Sequence, residues 1–155
     1  GETGTGGAEK HFSLDNIGYI PYNAYGIYPI SGGDAKVQNY EIIFYDKADG
    51  TEPAKEFLLS LDVKMRAKML RTIELLQTNG PELREPYSKP LGDSIFELRA
   101  KIGTDISRVL YFFIVGRKVI LTNGFIKKTQ KTPSTEIEKA RRYRSEYISR
   151  KDEQK

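Results

Sequence analysis

The sequence contains no cysteine, and its 155 residues include a single histidine, His11. Without cysteine there are no disulfides and no thiolate metal ligands, which fits a reducing compartment. With one histidine, a histidine-based metal site or catalytic triad lacks its members. No apolar run approaches the roughly 18 residues of a membrane-spanning helix. No positively charged stretch followed by an apolar segment reads as a secretory signal. The expectation is a cytoplasmic protein with no metal, cofactor or membrane contact, whose chemistry falls to Lys, Arg, Tyr, Glu and Asp.

What is present is charge, unevenly spread. Hydrophobic residues make up 38%, enough for one domain with a modest core, and charged residues 30%. The net charge is +4. Residues 1–35 hold Glu2, Glu9, Asp15 and Asp34 against Lys10, a net of −3, so residues 36–155 carry +7. Basic residues crowd the end, where Lys127, Lys128, Lys131, Lys139, Arg141, Arg142 and Arg144 are among those opposed by only Glu136, Glu138 and Glu146 over 127–151. Such a stripe is the footprint of an anionic partner, most often nucleic acid. A solvated helix face is the alternative reading.

Two segments differ in kind. Residues 1–35 open on "GETGTGG", close near "SGGDAK" and place Tyr19, Tyr22, Tyr25 and Tyr28 three apart among Pro21, Gly26 and Pro29. That pattern buries little by itself and reads as a flexible Tyr/Gly/Pro-rich extension, an appended linker or an arm that packs on the domain or a partner. The second segment, 36–155, reads as the folded domain. "YEIIFYD" is a strand by its aromatic and β-branched content. Thr51 is a candidate N-cap, with Pro53 in the first turn and Ala54, Phe57, Leu58 and Leu61 on one stripe. Asp62 suits the cap of a second helix carrying Met65, Met69, Ile73 and Leu76, and Gly80 with Pro81 ends it. "PELREPYSKPLGD" reads as a loop. The strands "SIFELRA", "ISRVLYFFIV" and "KVILTNGF" follow, the last two joined by Gly116-Arg117 in a type II′ turn. Thr132 and Pro133 open a final helix with a weak stripe of Ile137, Ala140, Arg144 and Tyr147 or Ile148. The order β-α-α-β-β-β-α predicts an α+β domain, an antiparallel sheet packed against a helical hairpin.

Alternation in "ISRVLYFFIV" puts Arg108 with Leu110, Phe112 and Ile114, at the strand's start, where its side chain can leave the core. Arg99 ends the preceding strand, so antiparallel pairing brings the two arginines together, with "GFIKKTQK" arriving from the last strand. Guanidinium groups suit bidentate phosphate contact and lysines suit charge neutralisation. The alternative is that both arginines pair with Glu97 and Asp105 at the sheet edge.

Taken together, "YEIIFYD", "KPL…IFELR", "RVLYFF", "VILTNGFIKKTQKTP" and "EIEKA", from about Tyr40 to Arg150, resemble the HigB-like branch of the RelE/ParE superfamily. The resemblance implies a RelE-like fold and a toxin of a type II toxin–antitoxin module that cleaves mRNA on the translating ribosome. It implies catalytic positions at Arg99, Arg108, Lys127 and Lys128, with Arg108 on the scissile phosphate. Gln130, Lys131, Arg141, Arg142 and Arg144 are the expected RNA contacts. The implied partners are mRNA on the ribosome, rRNA and a cognate helix-turn-helix antitoxin. Some HigB proteins place histidines near the cleft; this domain has none, which leaves a lysine/arginine mechanism. ParE-like inhibition of DNA gyrase and non-catalytic RNA binding are the competing functions.

Overall fold

The computed structural model describes residues 39–127 and 131–153. The 1–35 extension, Lys128 and Gln130 lie outside the described residues. Strand β1 (Glu41–Phe44) leads into helices α1 (Pro53–Ser60) and α2 (Val63–Asn79), and a 3-10 turn at Gly80–Glu82 follows. Strands β2 (Ser88–Gly92), β3 (Ile95–Ile102), β4 (Asp105–Ile114) and β5 (Lys118–Lys127) then precede helix α3 (Ser134–Glu153). The five strands form one sheet in the order β1-β5-β4-β3-β2.

Local chemistry accounts for most boundaries. Asp62 caps α2 by accepting the Met65 N–H at 2.9 Å. Gly80 follows α2 with φ +55°, and a Cβ there would meet the Tyr40 ring at 2.3 Å, so only glycine fits. Thr51 does not cap α1. It donates from both its N–H and its hydroxyl to Asp49, and Glu52 stands at the cap with Pro53 opening the helix.

Three features of the sheet depart from expectation. β1 pairs parallel to β5, with Glu41 opposite Lys118, so the sheet is mixed rather than antiparallel. The helical hairpin brings the chain back to the end of the sheet where β1 finished, so β2 runs opposite to β1, and the three reversals from β2 to β5 leave β5 parallel to it. The stretch expected to be loop contains β2, an edge strand carrying Pro90, where a missing N–H costs no ladder bond. It turns into β3 through Asp93 and Ser94, both at positive φ, without the Asn-Gly signal that usually marks such a hairpin. The β4–β5 connection also differs from a type II′ turn, because Gly116 and Arg117 both have positive φ.

The sheet divides two environments. On one face, Leu98, Ala100, Val109, Tyr111, Val119 and Leu121 pack under α1 and α2 around Met69, Leu70, Ile73 and Leu76. A bulge in β5, where Leu110 opposes Asn123 and Tyr111 opposes Leu121, resets the alternation along that strand. Gly124 lies just beyond it. A Cβ there would strike the Phe57 ring at 2.3 Å, so the glycine lets α1 settle on the sheet. On the other face α3 docks through Ala140 and Tyr147. These join two smaller clusters, Ile95 with Leu110 and Tyr45 with Phe112 and Ile120. The stripe expected on this helix is therefore spent largely on its own sheet, although Ile148 remains 42% exposed.

Candidate anion site

β3 and β4 are joined through Gly103 and Thr104, and this hairpin sets Arg99 directly opposite Arg108. Residues that face each other across an antiparallel pair share a face of the sheet. Glu97, two residues before Arg99, therefore shares it as well. Continuing the register, Lys101 lies opposite Ile106, and Ile106 opposite Lys127 at the end of β5. Arg99, Lys101, Arg108 and Lys127 thus occupy one end of the α3-side face.

The centre of this arrangement is a carboxylate. Glu97 is fully buried and accepts from Arg99 Nε at 2.6 Å, and Arg108 Nε lies 3.6 Å from the same oxygen. Its second oxygen accepts the Thr132 hydroxyl. The Arg108 guanidinium also donates from Nη1 to the Lys131 carbonyl at 3.2 Å. Burial pulls the Arg108 pKa below its ordinary value; Glu97 opposes that shift and Arg99 adds to it. Two fully buried ionic groups, Glu97 and Arg108, are tolerable only because each is hydrogen-bonded and the charges interleave with Arg99.

Arg108 takes the face its alternation suggested, with Leu110, Phe112 and Ile114, but its side chain does not leave the core there. It is the fourth residue of β4, with no exposed side-chain surface, and Lys131 and Thr132 lie over it and its partner Glu97. Arg99 is partly exposed, and Lys127, two strands away, and Lys131 are exposed. Glu97 pairs with both arginines, as the edge-pairing alternative held, but on inner strands. The signal for it is the stretch "FELR", where Glu and Arg at i and i+2 must share a face of a strand.

The helix arginines divide. Arg141 and Arg144 reach the β2–β3 turn, bonding Asp93 Oδ2 at 3.0 and 2.8 Å, and Arg144 also donates to the Asp93 carbonyl at 2.5 Å. They hold the Asp93 carboxyl below its ordinary range. These two clip α3 to the sheet. Arg142 is exposed and lies over the Tyr143 ring at 5.8 Å. It lines a cleft with Lys47 and Tyr45, on the far side of α3 from the Asp93 clip. The structure thus gathers Arg99, Arg108, Lys127 and Lys131 in one place and sets Arg141, Arg142 and Arg144 apart. Among the described residues no group of three His, Cys, Asp or Glu side chains is placed to hold a metal ion.

The family model described as phage derived protein Gp49-like (DUF891) matches residues 56–145, from within α1 to the middle of α3, and so includes every residue of this cluster. No curated protein matches the chain.

Proposed function

This chain belongs to the Gp49-like family of phage-derived proteins, a toxin–antitoxin-related toxin family within the RelE/HigB-type superfamily, and from that premise we propose that it arrests translation by cutting mRNA on the ribosome. The observation that carries this reading is the direct cross-strand pairing of Arg99 with Arg108 on a face that also presents Lys101 and Lys127. A phosphate at that end of the sheet meets a guanidinium and ammonium groups at once, while the buried Glu97 holds the two arginines from behind.

RNA cleavage of this kind needs three services. The ribose 2′-hydroxyl loses its proton and attacks the adjacent phosphorus. The bond to the 5′-oxygen breaks, and that oxygen takes up a proton, leaving a cyclic phosphate and a 5′-hydroxyl. Between these steps the phosphorane carries extra negative charge, which Arg99 and Lys127 are placed to hold. Arg108 joins them when Lys131 and Thr132 lift from above it, because its guanidinium is otherwise enclosed. Lys127 and Lys128 are the candidates for proton transfer. Glu97 is a positioning residue that fixes both guanidinium planes. The ribosome supplies the alignment of the attacking hydroxyl with the bond that breaks, which a shallow cationic face does not impose alone. A cognate antitoxin, implied by the family, silences the chain.

The enclosure of Arg108 favours a second reading, in which the same face binds RNA without cutting it. Inducing the chain in cells separates these outcomes. The proposed activity leaves truncated transcripts and stalled protein synthesis. Arrest with intact transcripts supports binding alone. A DNA-damage response without mRNA fragments points to gyrase inhibition and removes both.

A further inference from the structure

A cavity of about 770 Å³ opens between α2 and the part of β3 that runs past the end of β2. Its α2 wall presents Lys64, Lys68 and Arg71, spaced i, i+4 and i+7 on one helical face. Its opposite wall is Tyr87 and the β3 stretch from Arg99 to Ile102. No acidic residue lines it, and no described carboxylate forms an ion pair with Lys64, Lys68, Arg71 or Lys101. Tyr87 is 43% exposed and Ile102 39%, so the cations alternate with bare aromatic and aliphatic surface.

We propose that this groove binds single-stranded RNA, its phosphates on the α2 cations and a base stacked on Tyr87. The combination of a cationic track with an exposed aromatic platform is how sequence-tolerant single-strand binding is built. The rise of the helix puts about 10 Å between the first and last of the three cations, so the track runs along a strand and is not a point contact. An extended peptide adding to the edge of β3 is the natural competitor, but that edge is in use. Arg99 donates its N–H to the Tyr87 carbonyl at 2.9 Å, and the Lys101 carbonyl accepts from Lys68 Nζ at 2.6 Å. A new strand must break both. Arg99 lines the groove and also bonds Glu97 on the other face, so one residue at this part of β3 borders both the groove and the anion site. The inference gives the proposed cleavage face a path for its substrate and, to that extent, rests on that reading.

The test is fluorescence anisotropy of a labelled 2′-O-methyl RNA of about 12 nucleotides, which the chain can bind but not cut. For a single strand, every phosphate left without its cation reduces the slope of log K against log salt by about 0.7. K64Q/K68Q/R71Q is expected to weaken binding at least about tenfold and flatten that slope by about 2. Tyr87→Ala is expected to weaken binding about tenfold with the slope unchanged. If the triple variant fails to fold without the Lys68 hydrogen bond, R71Q alone is expected to flatten the slope by about 0.7. Affinity and slope both unchanged in a folded triple or single variant overturn the proposal. So does a loss of antitoxin binding with RNA binding intact. Because the oligonucleotide is uncleavable, transcripts left whole in cells remove the nuclease reading without touching this one.

Discussion

The two faces of the sheet are built by opposite rules. Beneath α1 and α2 the inward side chains of β3, β4 and β5 are apolar or aromatic apart from Ser107, whose hydroxyl donates to the Ala100 carbonyl, and the helices answer with Met, Leu and Ile. Beneath α3 the same strands place Glu97, Arg108 and Asn123 in full burial between two small apolar clusters. A single hydrophobic face suffices to hold a domain of this size together. The second face then has room for ionic groups that cost stability to enclose. It is also where the chain brings its guanidinium groups together. The main core and the proposed chemistry are thus separated by the thickness of one sheet.

The sharpest way to break that contrast is to remove the charge at the centre of the polar face. Glu97→Ala takes away the carboxylate shared by both arginines and leaves Arg108 enclosed, which is expected to cost about 3–5 kcal/mol. Urea denaturation checks it. A loss under about 1 kcal/mol would mean that the network is wet and loosely held. On the apolar face the comparable change is Leu76→Ala, expected to cost about 3 kcal/mol through a cavity. At permissive temperature it is expected to leave transcript cutting in place, whereas Glu97→Ala is expected to abolish it.

A third prediction concerns Glu74, the exception on α2. It is 5% exposed and has no hydrogen-bond partner, and burial pushes its pKa up to about 8. The folded state holds this proton more tightly than the unfolded chain. Stability is therefore greatest below the unfolded value near 4.3 and falls as pH rises toward about 8. From about pH 5.5 to 7.5 the loss is on the order of 2–3 kcal/mol, since each pH unit contributes about 1.4. Glu74→Gln is expected to flatten that decline. Melting curves across this range with the same slope in both proteins would assign the decline to another group.

The smallest effect belongs to the clip on α3. Asp93 is half exposed and its pairs with Arg141 and Arg144 are screened by water. Asp93→Ala is expected to lower the melting temperature slightly in low salt and not measurably in high salt. A large, salt-independent drop would make the turn part of the core.

How much of this is legible in the sequence depends on whether a feature is local. The caps at Asp62 and Gly80, the stripe on α2 and the three central strands follow from short-range chemistry. So does the meeting of Arg99 with Arg108, because a short hairpin leaves few registers. β2 is hidden because Lys89, Pro90 and Gly92 do not read as strand and gain that state only by pairing with β3. The parallel β1–β5 pairing is set by the path of the chain through the whole domain. Arg108's burial is hidden because the cover comes from Lys131 and Thr132, 23 and 24 residues away. Alternation says which face a side chain takes and nothing about what later folds over it.

One measurement bears most directly on the central claim that the α3-side face does the chemistry. A stalled ribosome carrying end-labelled mRNA is incubated with the chain and with its R99Q/K127Q variant, both checked for equal melting temperature. If that claim holds, the first makes internal cuts with 5′-hydroxyl ends, and the second cuts at least about a hundredfold more slowly, as losing charge stabilisation of the phosphorane requires. Equal cutting by both proteins, or none by either, would contradict it.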